Sequence, residues 1–215
     1  MKKILMSALL GAALLAAPAT FARKAPKAPA SIAAKVVVYK LQPQLSTLGW
    51  EGKAVTHGHN GTMQFTGGDL QVNGNQVVGG TVTVDMKTLK ATDITDAANH
   101  AKFVGHMSSD DFFNAEKFPT STFKITSVKP IAGAKADADN ATITGDMTIK
   151  GVTQQISFPA KVGVKNGVAA ATGKVTIDRT KFGLKYGSKT FFDSIGDKAI
   201  YDTFDLTFNV VAKQG

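Results

Sequence analysis

Cysteine is absent from the 215-residue chain. Without a thiol there is no disulfide framework, no lipidated cysteine anchor and no cysteine nucleophile. Acidic residues are scarce as well: 16 Asp and Glu stand against 25 Lys and Arg, a formal charge of +9 of which Lys2 and Lys3 carry two units. The lysines are scattered, with no basic helix and no basic-aromatic ladder, so no nucleic-acid partner is expected. Long apolar runs are missing too. The run from Ile4 to Ala17 is shorter than the roughly 20 residues that a membrane helix needs. Signatures of catalysis are equally thin. There is no G-x-S-x-G, and no glycine loop joins a strand to a helix. Asp146, Asp178, Asp193, Asp197 and Asp202 show no pairing that would assign acid and base roles. Neither enzyme chemistry nor a cofactor is expected.

What is present begins with an export signal. Lys2 and Lys3 precede the apolar run, Pro18 breaks it, and small residues stand before candidate cleavage points at Ala19 and Ala22. Residues 1–22 read as a leader and 23–33, rich in Ala, Pro and Lys, as an extended tether. The remainder, 34–213, is long enough to bury one core. The expected location is the periplasm.

From Ala34 onward the dominant period is two. In "TVTVDM", Val82, Val84 and Met86 alternate with polar residues; in "TITGDMTI", Ile143, Gly145, Met147 and Ile149 do so. Phe204, Leu206, Phe208 and Val210 repeat the pattern. Such alternation predicts antiparallel strands with one dry and one wet face. Eight or nine strands are expected, near 34–41, 46–54, 57–67, 76–86, 121–130, 140–150, 153–164, 168–178 and 198–211. Lys165-Asn166-Gly167 is the clearest hairpin turn. So many half-polar strands in one domain require two packed sheets or a closed barrel.

Residues 87–120 break the pattern. Ala97, Ala101, Val104 and Met107 recur at helical spacing behind Thr95 and Asp96, both candidate N-caps. A second short helix is expected from Ser108, with Asp111 completing a capping pattern. The segment "SSDDFFNAEKFPTSTF" has a turn's charges and proline, yet four of its sixteen residues are Phe. Phe112 and Phe113 must cover something apolar. A barrel's open end and a solid core both satisfy that demand.

Four blocks, "GHNGTMQFTGGDL", "SSDDFFNAEKFPTSTF", "ITGDMTIKGVTQQISF" and "IDRTKFGLKYG", together resemble the YceI-like family, in that family's order and across the domain. The resemblance implies an all-β fold: an eight-stranded antiparallel lipocalin-like barrel with a short helical excursion between strands. It also implies export and a long apolar channel, since some members bind polyisoprenoid lipids. The expected ligand is an isoprenoid lipid, of polyprenyl phosphate or quinone type, carried rather than transformed. It would lie along Met63, Phe65, Val84, Met86, Phe123, Ile125, Met147, Ile149 and Phe158. Phe112, Phe113 and Phe182 would close one end. Methionine suits an irregular apolar guest because its side chain is unbranched and flexible.

Polar candidates are few. His57 and His59 share strand parity with Met63 and could begin a zinc site, but His100 and His106 have no metal spacing, so no metal is expected. His59, inside a family-like block, is instead assigned to the ligand's polar head. Arg179 could bind a phosphate or, structurally, pair with Asp110 or Asp111. Lys150, Lys181 and Lys185 could form a cationic rim. A second reading is an enzyme or enzyme-accessory barrel in which His59 meets Arg179 or Tyr186. A third is a filled barrel with a surface role only. Phe191 and Phe192 suggest a rim that pairs with a second copy, and transient contact with a membrane surface is also considered.

Overall fold

A computed structural model of the chain describes residues 35–215. The expected leader and the whole of the expected tether lie outside the described residues. The domain opens with β1 (Val36–Leu41), β2 (Thr47–Ala54), β3 (Gly58–Asn73) and β4 (Gln76–Ala91). Helix α1 (Ala97–Ser108) follows, and then β5 (Thr120–Pro130), β6 (Ala141–Ile149), β7 (Val152–Lys165), β8 (Val168–Asp178) and β9 (Ile200–Gln214). Every pairing is antiparallel. Each strand from β4 to β9 pairs with the next, β9 pairs with β2, β2 with β3, and β3 with β4, which closes the ring.

Nine strands make eight staves because β1 and β2 share one position. Both lie between β3 and β9: Val36 faces Asn73 and Leu48 faces Met63, while Tyr39 faces Gln214 and Thr47 faces Asn209. The break is a 3-10 turn at Pro43–Leu45. Proline has no amide proton to give a ladder and is at home at a turn's first position. Ser46 repairs the gap, its hydroxyl donating to Gln42 O at 2.8 Å and accepting from Val211 N at 3.0 Å.

The strands β3 and β4 run further than the alternation predicted, 16 residues each. Strands of that length must coil to stay on a narrow barrel. Gly68 and Gly80, at φ 141° and 134°, bring the two backbones close together at the bend. A Cβ on Gly68 would stand 2.2 Å from Thr81 O. The expected turn at Lys165–Gly167 forms as read, with positive φ at Asn166 and Gly167.

Asp96 caps α1, its side chain accepting from Asn99 N at 2.8 Å. The inward stripe differs from expectation. Ala97 and Ala101 are exposed, and the side of the helix turned to the barrel carries His100, Phe103, Val104 and Met107. These positions also have helical spacing, and the larger side chains gain more from burial. The second helix expected from Ser108 does not form. Ser108 instead ends α1, and Ser109 turns its hydroxyl back to His106 O at 2.7 Å. Residues 109–118 are turns, with Asn114 at positive φ reversing the chain. This reversal buries Phe112 and Phe113 against the barrel.

The bend sets the first test. G68A should destabilise the fold by about 3 kcal/mol, because an L residue is strained at that φ and its methyl would strike backbone. Denaturant unfolding measures the loss; a variant as stable as the parent would remove the close approach as the cause of the bend.

Candidate functional site

The barrel is hollow in two places. The inner cavity, about 110 Å³, is lined by Met63, Phe65, Val84, Met86, Phe123, Ile125, Met147, Ile149 and Phe158 among others. Each of these sits on a strand and points inward by the period-two rule. Polar lining is limited to Ser121 and Thr122, and the Ser121 hydroxyl lies 3.0 Å from the Met86 sulfur. The aromatic rings of Phe123, Phe158 and Phe208 form a chain with centroid spacings of 5.5 and 5.6 Å. Tilted and edge contacts of this kind are favourable and hold the wall's shape.

The second cavity, about 310 Å³, lies where the β2–β3 turn, α1 and its following turns, and the β8–β9 connection converge. Met63, Phe113 and Phe204 border both cavities, so these three side chains stand between them. Phe112 lines the second cavity. Phe182 lines neither; it is buried in the 3-10 turn Arg179–Phe182 after β8 and belongs to the packing beneath.

This outer chamber is walled by rings. Trp50 and Phe103 stack at 6.0 Å, His59 tilts against Phe103 at 4.7 Å, and His57 meets His59 edge-on at 5.3 Å. His106 sits edge-on to both Phe112 and Tyr186, at 5.1 and 4.6 Å. His59 Nδ1 lies 2.8 Å from Asp93 Oδ2, and Asn60 N donates to the other Asp93 oxygen at 3.1 Å. Burial opposes the charge on Asp93, but these bonds outweigh it and hold its carboxyl below the usual range. The pair thereby ties β3 to the connection that leads into α1. No group of three or more His, Asp or Glu among the described residues could hold a metal ion.

Arg179 borders the same chamber, but its donors are taken up by backbone carbonyls of the wall. Nε donates to Tyr201 O at 2.9 Å, Nη1 to Leu184 O and Tyr186 O at 2.7 and 2.8 Å, and Nη2 to Ile200 O at 3.0 Å. Nη2 is also 3.6 Å from Asp202. The side chain is only 4% exposed. Its expected structural partner was Asp110 or Asp111; the partner is Asp202, and Asp110 is engaged by Lys150. The arginine therefore fastens the β8–β9 connection to β9. Carbonyls of the β8–β9 connection and of the start of β9 outcompete a carboxylate on another loop, because the guanidinium fork needs several acceptors at once when buried. The lysines of the expected rim are scattered: Lys150 pairs with Asp110, Lys181 approaches Asp178 at 4.0 Å, and Lys185 lies over the Phe191 ring at 4.7 Å.

Several lining residues were not assigned to the ligand in the sequence reading. Phe204, Leu206, Phe208 and Val210 face the inner cavity from β9; their alternation was visible and their parity would have placed them. Trp50 and Phe103 were hidden, because a strand and a helix far apart in sequence bring them to the mouth, and Tyr186 was named only as a partner for His59 in the enzyme reading.

Acid should loosen this end first. Burial also opposes ionisation of Asp202, yet Ser188, Thr190 and Arg179 beside it hold its carboxyl below the ordinary value of 3.8. Asp93 is lowered from the same value. A folded pKa below the unfolded one stabilises the protein above the unfolded value and loses that contribution as pH falls through the folded one. The thermal midpoint should therefore decline below about pH 3.8. D202N should lower the midpoint at neutral pH and flatten the acid decline; an unchanged decline would refute the assignment.

Residues 39–212 match the family described as the YceI-like domain. A UPF0312 protein of Pseudomonas paraeruginosa is 39% identical over 93 residues, 40% of this chain and 46% of its own length. Protein YceI of Escherichia coli is 35% identical over 115 residues, 46% of this chain and 56% of its own. The chain thus spans about half the length of the curated relatives it matches. Among solved structures, Burkholderia cenocepacia BcnA superposes with a TM-score of 0.63 at 19% identity, over 80% of this chain and 99% of its own. A polyisoprenoid binding domain from Saccharophagus degradans, implicated in plant cell wall breakdown, superposes with a TM-score of 0.57 at 15% identity, over 83% and 99%. At these identities the two structures speak for the fold alone.

Proposed function

The chain belongs to the YceI-like family, and from that membership we propose that it binds an isoprenoid lipid, tail in the inner cavity and head in the outer chamber. The supporting observation is the division of the interior. The inner space is narrow and almost wholly apolar, and each buried CH₂ of a guest would contribute roughly 0.8 kcal/mol. The outer chamber is wider and walled by aromatic and imidazole rings. The polyisoprenoid binding domain that shares this fold is consistent with such a cargo.

The head is better matched by a neutral ring of quinone type than by a phosphate. A phosphate in a closed site calls for uncommitted cations or amide donors. Of the two cationic residues lining the chamber besides histidine, Arg179 is committed to carbonyls, and Lys53 is more than half exposed and pairs with Glu51 at 3.0 Å. A planar ring, by contrast, can lie against Trp50, Phe103 or Tyr186 and accept from an imidazole. Binding is favoured over turnover, because the inner cavity is almost wholly apolar and Arg179 is committed to backbone carbonyls. The N-terminal residues 1–22 support export to the periplasm.

Protein purified from its native host should release a prenylated quinone or phenol on organic extraction, detected by mass spectrometry. The apoprotein should take up a prenyl quinone at least tenfold more tightly than a prenyl phosphate of equal length. No prenyl species and no uptake of either probe would overturn the proposal. The inner cavity gives a further check. M147W should leave the barrel folded, because the indole enters space already open, while reducing long-chain uptake at least tenfold; loss of folding would mean that the centre is packed solid.

A further inference from the structure

The outer chamber and an exposed aromatic loop share their residues. Tyr186, at the start of the loop, and Ile200 and Tyr201, at its end, line the chamber, and between them the chain turns outward. Phe191 and Phe192 stand in that turn, 43% and 50% exposed, and Tyr201 at the loop's end is 51% exposed. Val55, also exposed, is tied to the end of the loop, its amide donating to Ala199 O at 3.0 Å. Two adjacent half-bare phenylalanines forgo burial that the core would reward, so water alone does not account for them.

Nor is the turn loose. Ser188 is fully buried, and its carbonyl accepts from the amides of both Phe191 and Phe192 at 3.1 and 3.0 Å. The Thr190 hydroxyl donates to Asp202, whose other oxygen faces Arg179. The arginine that locks the mouth thereby also locks the aromatic tip. Charge surrounds it: from Lys181 to Tyr201 the chain has four lysines and two aspartates, in a molecule of formal charge +9. Lys185 lies over the Phe191 ring. Aromatic side chains flanked by lysine seat at a bilayer's headgroup level, where the rings enter the acyl boundary and the ammonium groups meet anionic lipid.

We propose that the 185–199 loop, led by Phe191 and Phe192, docks the barrel mouth on an anionic bilayer surface so that an apolar cargo passes between membrane and cavity without crossing water. With an isoprenoid as cargo, as proposed above, the loop would set the rate of loading and leave the fit of the bound chain unchanged. The outer chamber opens beside the loop, so docking and entry occur at one end of the molecule.

F192W places an indole at the tip and reports its surroundings directly, against the background of the buried Trp50. With vesicles of phosphatidylethanolamine and phosphatidylglycerol, its emission should shift to the blue and be quenched by brominated lipid. Both effects should weaken as salt is raised or phosphatidylglycerol is omitted. F191S/F192S should slow transfer of a prenyl quinone from vesicles at least tenfold, while uptake of the same quinone from cyclodextrin stays at the parent level. No shift and no quenching in F192W, or an unchanged vesicle transfer rate in F191S/F192S, would overturn docking. A blue shift that depends on protein concentration without vesicles would overturn it in favour of a second copy covering the patch. Failure of uptake from cyclodextrin in the parent would remove the isoprenoid reading, while the vesicle signal of F192W would still decide docking.

Discussion

Closure of β3 on β4 is the constraint from which the other properties of this molecule descend. Once that ladder forms, no edge remains, and each stave must present alternate side chains to a lumen of fixed circumference. An eight-stave ring lies at the boundary between a filled and a hollow interior. Here the inward residues do not all meet. Methionine, alanine and valine stand among the larger rings, and the staves cannot collapse to close the gap without losing hydrogen bonds around the whole ring. The space is therefore maintained by backbone geometry, and the side chains only set its width.

The same closure makes the ends chemically unlike. At one end the hairpin between β3 and β4 and the turn at Asn166 and Gly167 are short and tight. The other end receives α1, the Phe112–Phe113 reversal and the long connection after β8. Such connections are where a rigid barrel can vary its chemistry. Two polar anchors hold them. His59 with Asp93 secures the approach to α1, and Arg179 secures the β8–β9 connection by gathering four carbonyls. A buried guanidinium with that many acceptors is a structural fastener, and its charge is spent internally.

The strands were legible because alternation is a local signal: all nine expected segments correspond to observed strands, and the residues assigned to the inner face from Met63 to Phe158 do line the inner cavity. The lengths of β3 and β4 were not, because the coil that sustains them depends on Gly68 and Gly80 each letting the partner strand's backbone approach closely. The stripe of α1 was read half correctly: Val104 and Met107 pack on the core, while Ala97 and Ala101 are exposed, because residues at helical spacing do not say which side the barrel will offer. Arg179 showed its structural character in the sequence but not its partners, since turns bring Leu184, Tyr186, Ile200 and Tyr201 around it. The mouth was the least legible region. Trp50, Phe103 and Tyr186 come from a strand, a helix and a loop, and no spacing along the chain connects them.

Met63, Phe113 and Phe204 divide the interior into its two cavities. A guest reaching the inner space must displace flexible side chains, because the hydrogen-bonded wall cannot part. Rotamer exchange of this kind is fast compared with opening a ladder. The three residues therefore behave as a sprung iris: resident cargo would be retained by many weak contacts, yet its release would require no unfolding of the container.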